Sequence, residues 1–171
     1  MNIALLGYGK MGRIIEKFAL QRGHQIHCIV DENNRSDTHS STIQGADVAI
    51  DFSRPEAVLD NIELCFEANV PIVVGTTGWY DHLEEVKNRC LDGNKTLLYG
   101  SNFSIGVNIF FHINELLAKA MNPYRQYDVQ VEEIHHTHKL DSPSGTAITI
   151  AEGIIRYHDT KSEWVNNLIG E

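Results

Sequence analysis

An apolar run, Ile3-Ala4-Leu5-Leu6, passes straight into Gly7-Tyr8-Gly9-Lys10-Met11-Gly12, and this junction restricts the fold more than any other stretch of the chain. Beyond it Met11, Ile14, Ile15, Phe18 and Ala19 recur at i, i+3, i+4, i+7 and i+8, the spacing of one helix face, and Gly23 supplies a stop. A second apolar run, Ile26 to Val30, follows at once. Strand, glycine turn, helix and strand in this order make a βαβ unit, whose two strands lie parallel because the helix carries the chain back to its starting edge.

The alternation continues. Val48-Ala49-Ile50, Ile72-Val73-Val74 and Thr96-Leu97-Leu98-Tyr99 read as three more strands. Between them Val58, Ile62, Cys65 and Phe66 mark a helix entered through Ser53 with Pro55 near its first turn, and Leu83, Val86 and Cys90 mark a weaker one ending near Gly93. Ser36 to Ser41 reads as a polar loop. Strands that are apolar without strict alternation belong to a parallel sheet covered on both faces. Residues 1–103 are therefore expected to form a Rossmann-like, doubly wound α/β domain. Residues 104–171 read as a second, α+β unit. Ile109, Ile113, Leu116, Leu117 and Ala120 predict a long helix broken at Asn122-Pro123, Asp128 to Ile134 a strand, and Ala147, Ile150, Ala151, Ile154 and Ile155 another helix opening after Ser144-Gly145.

With 23 acidic against 14 basic residues and a net charge of −9, general attraction to nucleic acid or anionic membrane is not expected, so an anionic ligand has to meet a local positive site. Cys28, Cys65 and Cys90 are odd in number, widely spaced and set among apolar residues, which predicts reduced core thiols rather than disulfides or a zinc site. The first strand begins at Asn2 or Ile3 with no basic leader ahead of it, and no apolar run approaches bilayer length, so the expected compartment is the cytoplasm.

Two clusters carry chemistry. The glycine run Gly7, Tyr8, Gly9, Lys10, Met11 and Gly12 opens a helix and is built to receive a pyrophosphate, while Asp31, nineteen residues beyond Gly12, closes the second strand where a ribose hydroxyl needs an acceptor. Asp31 favours NADH, and Asn33, Asn34 and Arg35 leave room for NADPH. Gly75-Thr76-Thr77-Gly78 and Gly100-Ser101-Asn102-Phe103 follow the fourth and fifth strands, at the carboxyl ends where open α/β sheets bind ligands. The second cluster spans Glu133 to Thr146. His135 or His136 suits proton donation near neutral pH, Lys139 offers a compact positive charge, and Ser144, Gly145 and Thr146 at a helix start present N–H groups and hydroxyls to an anionic oxygen. The pattern fits a small diacid. On a continuous strand His135 and His136 would point to opposite faces, so both reach one ligand only through a bulge or loop. A metal site from His135, His136, His138 and Asp141 lacks a recognised spacing, and no metal is assigned.

The chain resembles the dihydrodipicolinate reductase family, the 4-hydroxy-tetrahydrodipicolinate reductases of the diaminopimelate route to lysine. The family signature E-x-H-H-x-x-K-x-D-x-P-S-G-T-A is met from Glu133 to Ala147. The glycine-rich start is met by Gly7 to Gly12, D-F-[ST]-x-P by Asp51 to Pro55, G-T-T-G by Gly75 to Gly78, and N-F-S-x-G by Asn102 to Gly106. The resemblance implies that His135 is the general acid and Lys139 its substrate-binding and catalytic partner, that His136 binds a substrate carboxylate, and that Gly145 and Thr146 hold a carboxylate at the helix start. It implies nucleotide contacts at Gly7 through Gly12, Asp31, Gly75, Thr77 and Gly100 through Phe103. It further implies NADH- or NADPH-dependent reduction of a cyclic dicarboxylate, and a homotetramer assembled through the sheet of the second domain. Family chains usually continue for several more strands, so residues 104–171 are expected to be an incomplete substrate domain. The rival readings are a noncatalytic dinucleotide-binding regulatory module, for which the Glu133 to Thr146 cluster has no use, and another nicotinamide-dependent oxidoreductase of a sugar or small acid.

Overall fold

Five short strands take their places where the apolar runs lie: β1 (Asn2–Leu6), β2 (Gln25–Val30), β3 (Val48–Asp51), β4 (Ile72–Val74) and β5 (Leu97–Tyr99). In the structure, a computed structural model that describes residues 1–135, 137 and 142–167, they pair in the order β2-β1-β3-β4-β5, every pair parallel. Because β1 leads to β2 on one side and β3 on the other, the connections reverse direction between β1 and β3, the position at which doubly wound sheets open a ligand crevice.

The intervening helices are α1 (Lys10–Gln21), α2 (Ser40–Ile43), α3 (Pro55–Ala68) and α4 (Leu83–Asp92). α1 ends at Gly23, whose φ of +77° suits the left-handed stop. The N–H groups of Gly23 and His24 close back on the carbonyls of Leu20 and Ala19 at 3.0 and 2.9 Å. The two faces of the sheet bury different residues. Ala4, Leu6, Ala49, Ile72 and Val74 join Val58, Ile62, Cys65 and Phe66 of α3, Ile43 of α2 and Val86 of α4 in one core, while Ile3 and Leu5 pack with Ala19 and Ile15 on the other. Met11, Ile14 and Phe18, which share the expected helix face, remain exposed.

Four local expectations change. Ser40–Ile43, expected as part of or beside a polar loop, forms the short α2 because Ile43 is fully buried. α3 has Arg54 rather than Ser53 at its N-cap with Pro55 in the first turn, since the Ser53 hydroxyl turns to Asp51 instead. Of the cysteines only Cys65 is buried, Cys28 and Cys90 being half-buried. All three are free, and burial holds the Cys28 thiol above its ordinary value and pushes that of Cys65 up to about 12, with the nearby Asp51 adding to the rise at Cys65. The strand expected over Asp128 to Ile134 does not form: no described segment pairs with it, and an extended segment without a partner has no ladder to hold it.

The chain divides into two compact units, Met1–Gly100 and Ser101–Glu171. The second contains α5 (Ile105–Met121) and α6 (Gly145–Ile155). Their contact uses a face of α5 other than the expected stripe. Asn114 donates to the Ile150 carbonyl at 3.0 Å, Arg156 pairs with Glu115 at 2.7 Å, and a Cβ on Gly153 would lie 3.1 Å from the Asn114 amide, so glycine lets the helices approach. Ile109, Ile113, Leu116 and Leu117 are exposed. No described helix is long and apolar enough to cross a membrane.

Candidate functional site

Parallel strands end on one edge of their sheet, and the residues after β1, β2, β3, β4 and β5 are therefore gathered there: Gly7 to Gly9, Asp31, Phe52 to Arg54, Gly75 to Thr77, and Gly100. The loops are tied to that edge by backbone bonds, from Gly7 N–H to Val30 at 2.7 Å, Phe52 to Leu6 at 2.9 Å, Gly75 to Asp51 at 2.8 Å and Gly100 to Val74 at 3.1 Å. The three glycines of the first loop differ in what they allow. A Cβ on Gly7, where φ is +92°, would meet the Phe52 carbonyl oxygen at 2.3 Å, and one on Gly12 would meet the Gly7 oxygen at 2.3 Å. Gly9 has nothing within 4 Å of such an atom. The outer glycines are required by packing, and the middle one leaves space over the N-terminus of α1, whose first turn carries neither a side-chain cap nor an acidic residue. That space and those N–H groups fit a pyrophosphate. Tyr8 donates its hydroxyl to Glu16 and carries the Arg13 guanidinium 5.0 Å above its ring.

Asp31 accepts from the Asn33 backbone at 2.8 Å and the Asn33 amide at 3.3 Å, one bond to each oxygen, which leaves acceptor capacity on both. The Arg35 guanidinium donates to the Asn61 side-chain oxygen at 3.1 Å and the Asp60 carbonyl at 3.2 Å.

Beneath these loops lies a carboxylate that the sequence marks only as the first residue of the D-F-[ST]-x-P motif, with no role attached. Asp51 is fully buried and accepts from the Thr76 hydroxyl at 2.5 Å, the Asn61 amide at 2.7 Å, and the hydroxyl and N–H of Ser53 at 3.0 and 3.2 Å. Burial pushes its carboxyl above the usual value, and these donors pull the other way. Thr76 is itself buried; its hydroxyl is committed to Asp51 and its carbonyl accepts from the Trp79 indole at 2.9 Å, so what Thr76 offers a ligand is backbone only. Gly75 is needed by packing, because an added Cβ would run into the Phe52 ring at 2.2 Å. The sequence signal for this network is an acid closing an otherwise apolar strand.

The second unit holds the other predicted residues. Asn102 accepts from the Ser104 N–H at 2.8 Å, Ser101 and Thr149 share a hydroxyl contact at 3.2 Å, and Phe103 is exposed. His135 meets Glu133 at 2.8 Å through Nε2. Ser144 caps α6, accepting from the Ala147 N–H at 3.1 Å, and gives both its N–H (2.8 Å) and its hydroxyl (2.5 Å) to Glu133. The Ser144 hydroxyl is thus engaged by the cap and by Glu133, and the next N–H groups of the helix start are those of Gly145 and Thr146. Burial raises the Glu133 carboxyl, but the donations from Ser144 and His135 outweigh it and hold it at about 2. His136 and Lys139 lie outside the described residues, as do His138 and Asp141 of the metal alternative. Among the described residues no group of three or more metal-ligating side chains assembles.

The family models for the N-terminus and C-terminus of dihydrodipicolinate reductase match residues 1–103 and 106–168 in order. The chain belongs to the dihydrodipicolinate reductase family. The 4-hydroxy-tetrahydrodipicolinate reductase of Christiangramia forsetii is 46% identical over 96% of this chain and 68% of its own length, and that of Chromobacterium violaceum 34% identical over 90% and 64%. The chain thus spans about two thirds of the length of these relatives. A dipicolinate-bound dihydrodipicolinate reductase from Paenisporosarcina sp. TG-14 has the same fold, with a TM-score of 0.71 over 99% of this chain and 71% of the other at 24% identity.

Proposed function

We propose that the chain reduces 4-hydroxy-tetrahydrodipicolinate, or the dihydrodipicolinate derived from it, to tetrahydrodipicolinate in lysine biosynthesis, with a reduced nicotinamide dinucleotide as donor. One observation carries the reading: both halves of the family model match in order, and the second includes the whole cluster from Glu133 to Thr146. Residues 1–103 hold the dinucleotide and residues 104–171 the diacid.

The bound dinucleotide supplies the hydride. The chain's part is to orient and to move a proton. Gly7 to Gly12 receive the pyrophosphate at the start of α1, Asp31 the adenosine ribose, and the backbone of Gly75 to Thr77 and Gly100 to Phe103 the remainder. Lys139, His136 and the N–H groups of Gly145 and Thr146 hold the two carboxylates of the diacid, and His135 gives its proton to the reduced ring. NADH is the preferred donor, because an added phosphate on the ribose meets the Asp31 carboxylate while Arg35 is directed to Asn61 and Asp60 and Arg54 pairs with Glu32 at 3.2 Å. The full-length protein is a cytoplasmic homotetramer. A noncatalytic dinucleotide sensor gives no account of the Glu133–His135–Ser144 arrangement.

The test follows NADH absorbance with the diacid supplied fresh, on the 171-residue chain and on one extended past Glu171. Oxidation dependent on the diacid is expected, with the lower KM for NADH than for NADPH. Oxidation by neither form, with NADH bound, contradicts the reading.

A further inference from the structure

The segment that carries His135 has no strand ladder to fix it. Something else has to aim the imidazole, and among the described residues its side-chain contact is with Glu133. Glu133 Oε2 lies 2.8 Å from His135 Nε2, while Oε1 takes the Ser144 N–H at 2.8 Å and Oε2 the Ser144 hydroxyl at 2.5 Å. Ser144 is buried and begins α6. One carboxylate therefore joins the imidazole to the helix start eleven residues farther along the chain.

We infer that Glu133 is the positioning residue of His135, anchoring its Nε2–H so that the transferable proton sits on Nδ1, and that the same carboxylate holds the proton donor and the α6 terminus in one fixed relation. The inference rests on the reading of His135 as general acid and adds to it an atom and a partner. The reasoning is one of donor and acceptor count. An ionised carboxylate can only accept, and Glu133 Oε2 lies 2.8 Å from Nε2, so Nε2 carries hydrogen in the neutral ring as in the charged one. The proton that can be given away is then the one on Nδ1. When it leaves, the N–H bonding pair stays on the ring, a C–H bond forms on the reduced substrate, and the ring remains bound to Glu133 as its neutral Nε2–H form. Water reprotonates Nδ1 for the next turnover. Because Glu133 also closes on Ser144, any shift of the α6 terminus moves the donor with it, which keeps proton source and carboxylate-binding N–H groups in register.

Two measurements on the full chain test this. Nitrogen NMR of the imidazole reports the tautomer without substrate: an Nε2-protonated ring is expected in the parent and a mixed population in Glu133→Ala. Kinetically, Glu133→Ala is expected to lose turnover by about tenfold to a hundredfold, less than the about 100- to 10,000-fold that general acid catalysis itself supplies. KM for NADH should hold, and the solvent deuterium isotope effect should grow as proton delivery becomes the slow step. Glu133→Gln, which keeps an acceptor oxygen, should recover part of the loss. If circular dichroism shows that Glu133→Ala disturbs α6, Glu133→Gln carries the test, because a neutral amide can donate as well as accept, no longer forces hydrogen onto Nε2, and should still give the mixed tautomer population. An unchanged tautomer together with an unchanged isotope effect overturns the inference, leaving His135 as acid with another support. Full turnover in His135→Gln would instead overturn the general-acid reading itself, so the two failures are distinguishable.

Discussion

Each unit is organised around one carboxylate, and the two are stabilised in opposite ways. Asp51 in the first unit is sealed by Ser53 and Thr76 of two strand-end loops and by Asn61 of α3, in a sheet that has an apolar core on each face. Glu133 in the second unit lies on a segment without a ladder and links a histidine to a helix cap, while the apolar stripe of α5 stays exposed and α5 meets α6 through Asn114, Glu115 and Gly153. The first unit is thus preorganised by its core and the second by local polar contacts.

The largest effect that would break this contrast is at Asp51. Asp51→Ala leaves several buried donors without an acceptor and should lower stability by about 3–5 kcal/mol, read by urea unfolding of the first unit. A loss no greater than that of Glu133→Ala would remove the distinction. Next comes the glycine loop. Gly7→Ala combines a left-handed φ with a 2.3 Å approach to the Phe52 carbonyl and should cost about 2–4 kcal/mol, whereas Gly9→Ala, facing open space, should cost about 1 kcal/mol or less yet weaken NADH binding. Equal destabilisation by both, or Gly9→Ala with unaltered NADH affinity, would mean the middle glycine makes no room for a ligand.

The smallest effect is in acid. Glu133 is held at about 2 in the fold against an ordinary 4.5, so its stabilising contribution is complete above pH 4.5 and is lost as the pH falls toward 2. Asp51, raised above 3.8 by burial, has the opposite sign: its titration favours the fold at low pH, and that contribution fades as the pH rises through its folded value. The stability gap between the parent and Glu133→Gln should therefore narrow on acidification below pH 4.5. A constant gap would show that the carboxylate gains nothing from Ser144 and His135.

The first unit was far more legible than the second, for the same physical reason. Apolar runs such as Ile3 to Leu6 and Ile72 to Val74 declare buried strands by themselves, and Gly23 declares a helix stop, because those signals are local. α2 is not legible in the sequence since one buried Ile43 makes no periodicity, and Ser53 reads as a helix cap because nothing nearby in sequence reveals that Asp51 claims its hydroxyl. In the second unit the alternation from Asp128 to Ile134 suggested a strand, but pairing depends on a neighbour that no local pattern supplies. The contact from Glu133 to Ser144 and the one from Asp51 to Thr76, eleven and twenty-five residues apart, are tertiary facts. Sequence named Ser144 and Thr76 as part of their sites, and the structure gives their hydroxyls to carboxylates.

In the proposed reaction, hydride from the dinucleotide and a proton from His135 end on the same diacid. NADH deuterated at both C4 positions, turned over by the full chain in ordinary water with fresh diacid, tests it through the mass of the product. The account predicts one deuterium in tetrahydrodipicolinate and one retained in the oxidised dinucleotide. NADH oxidised with deuterium released to solvent and none in the product would contradict it.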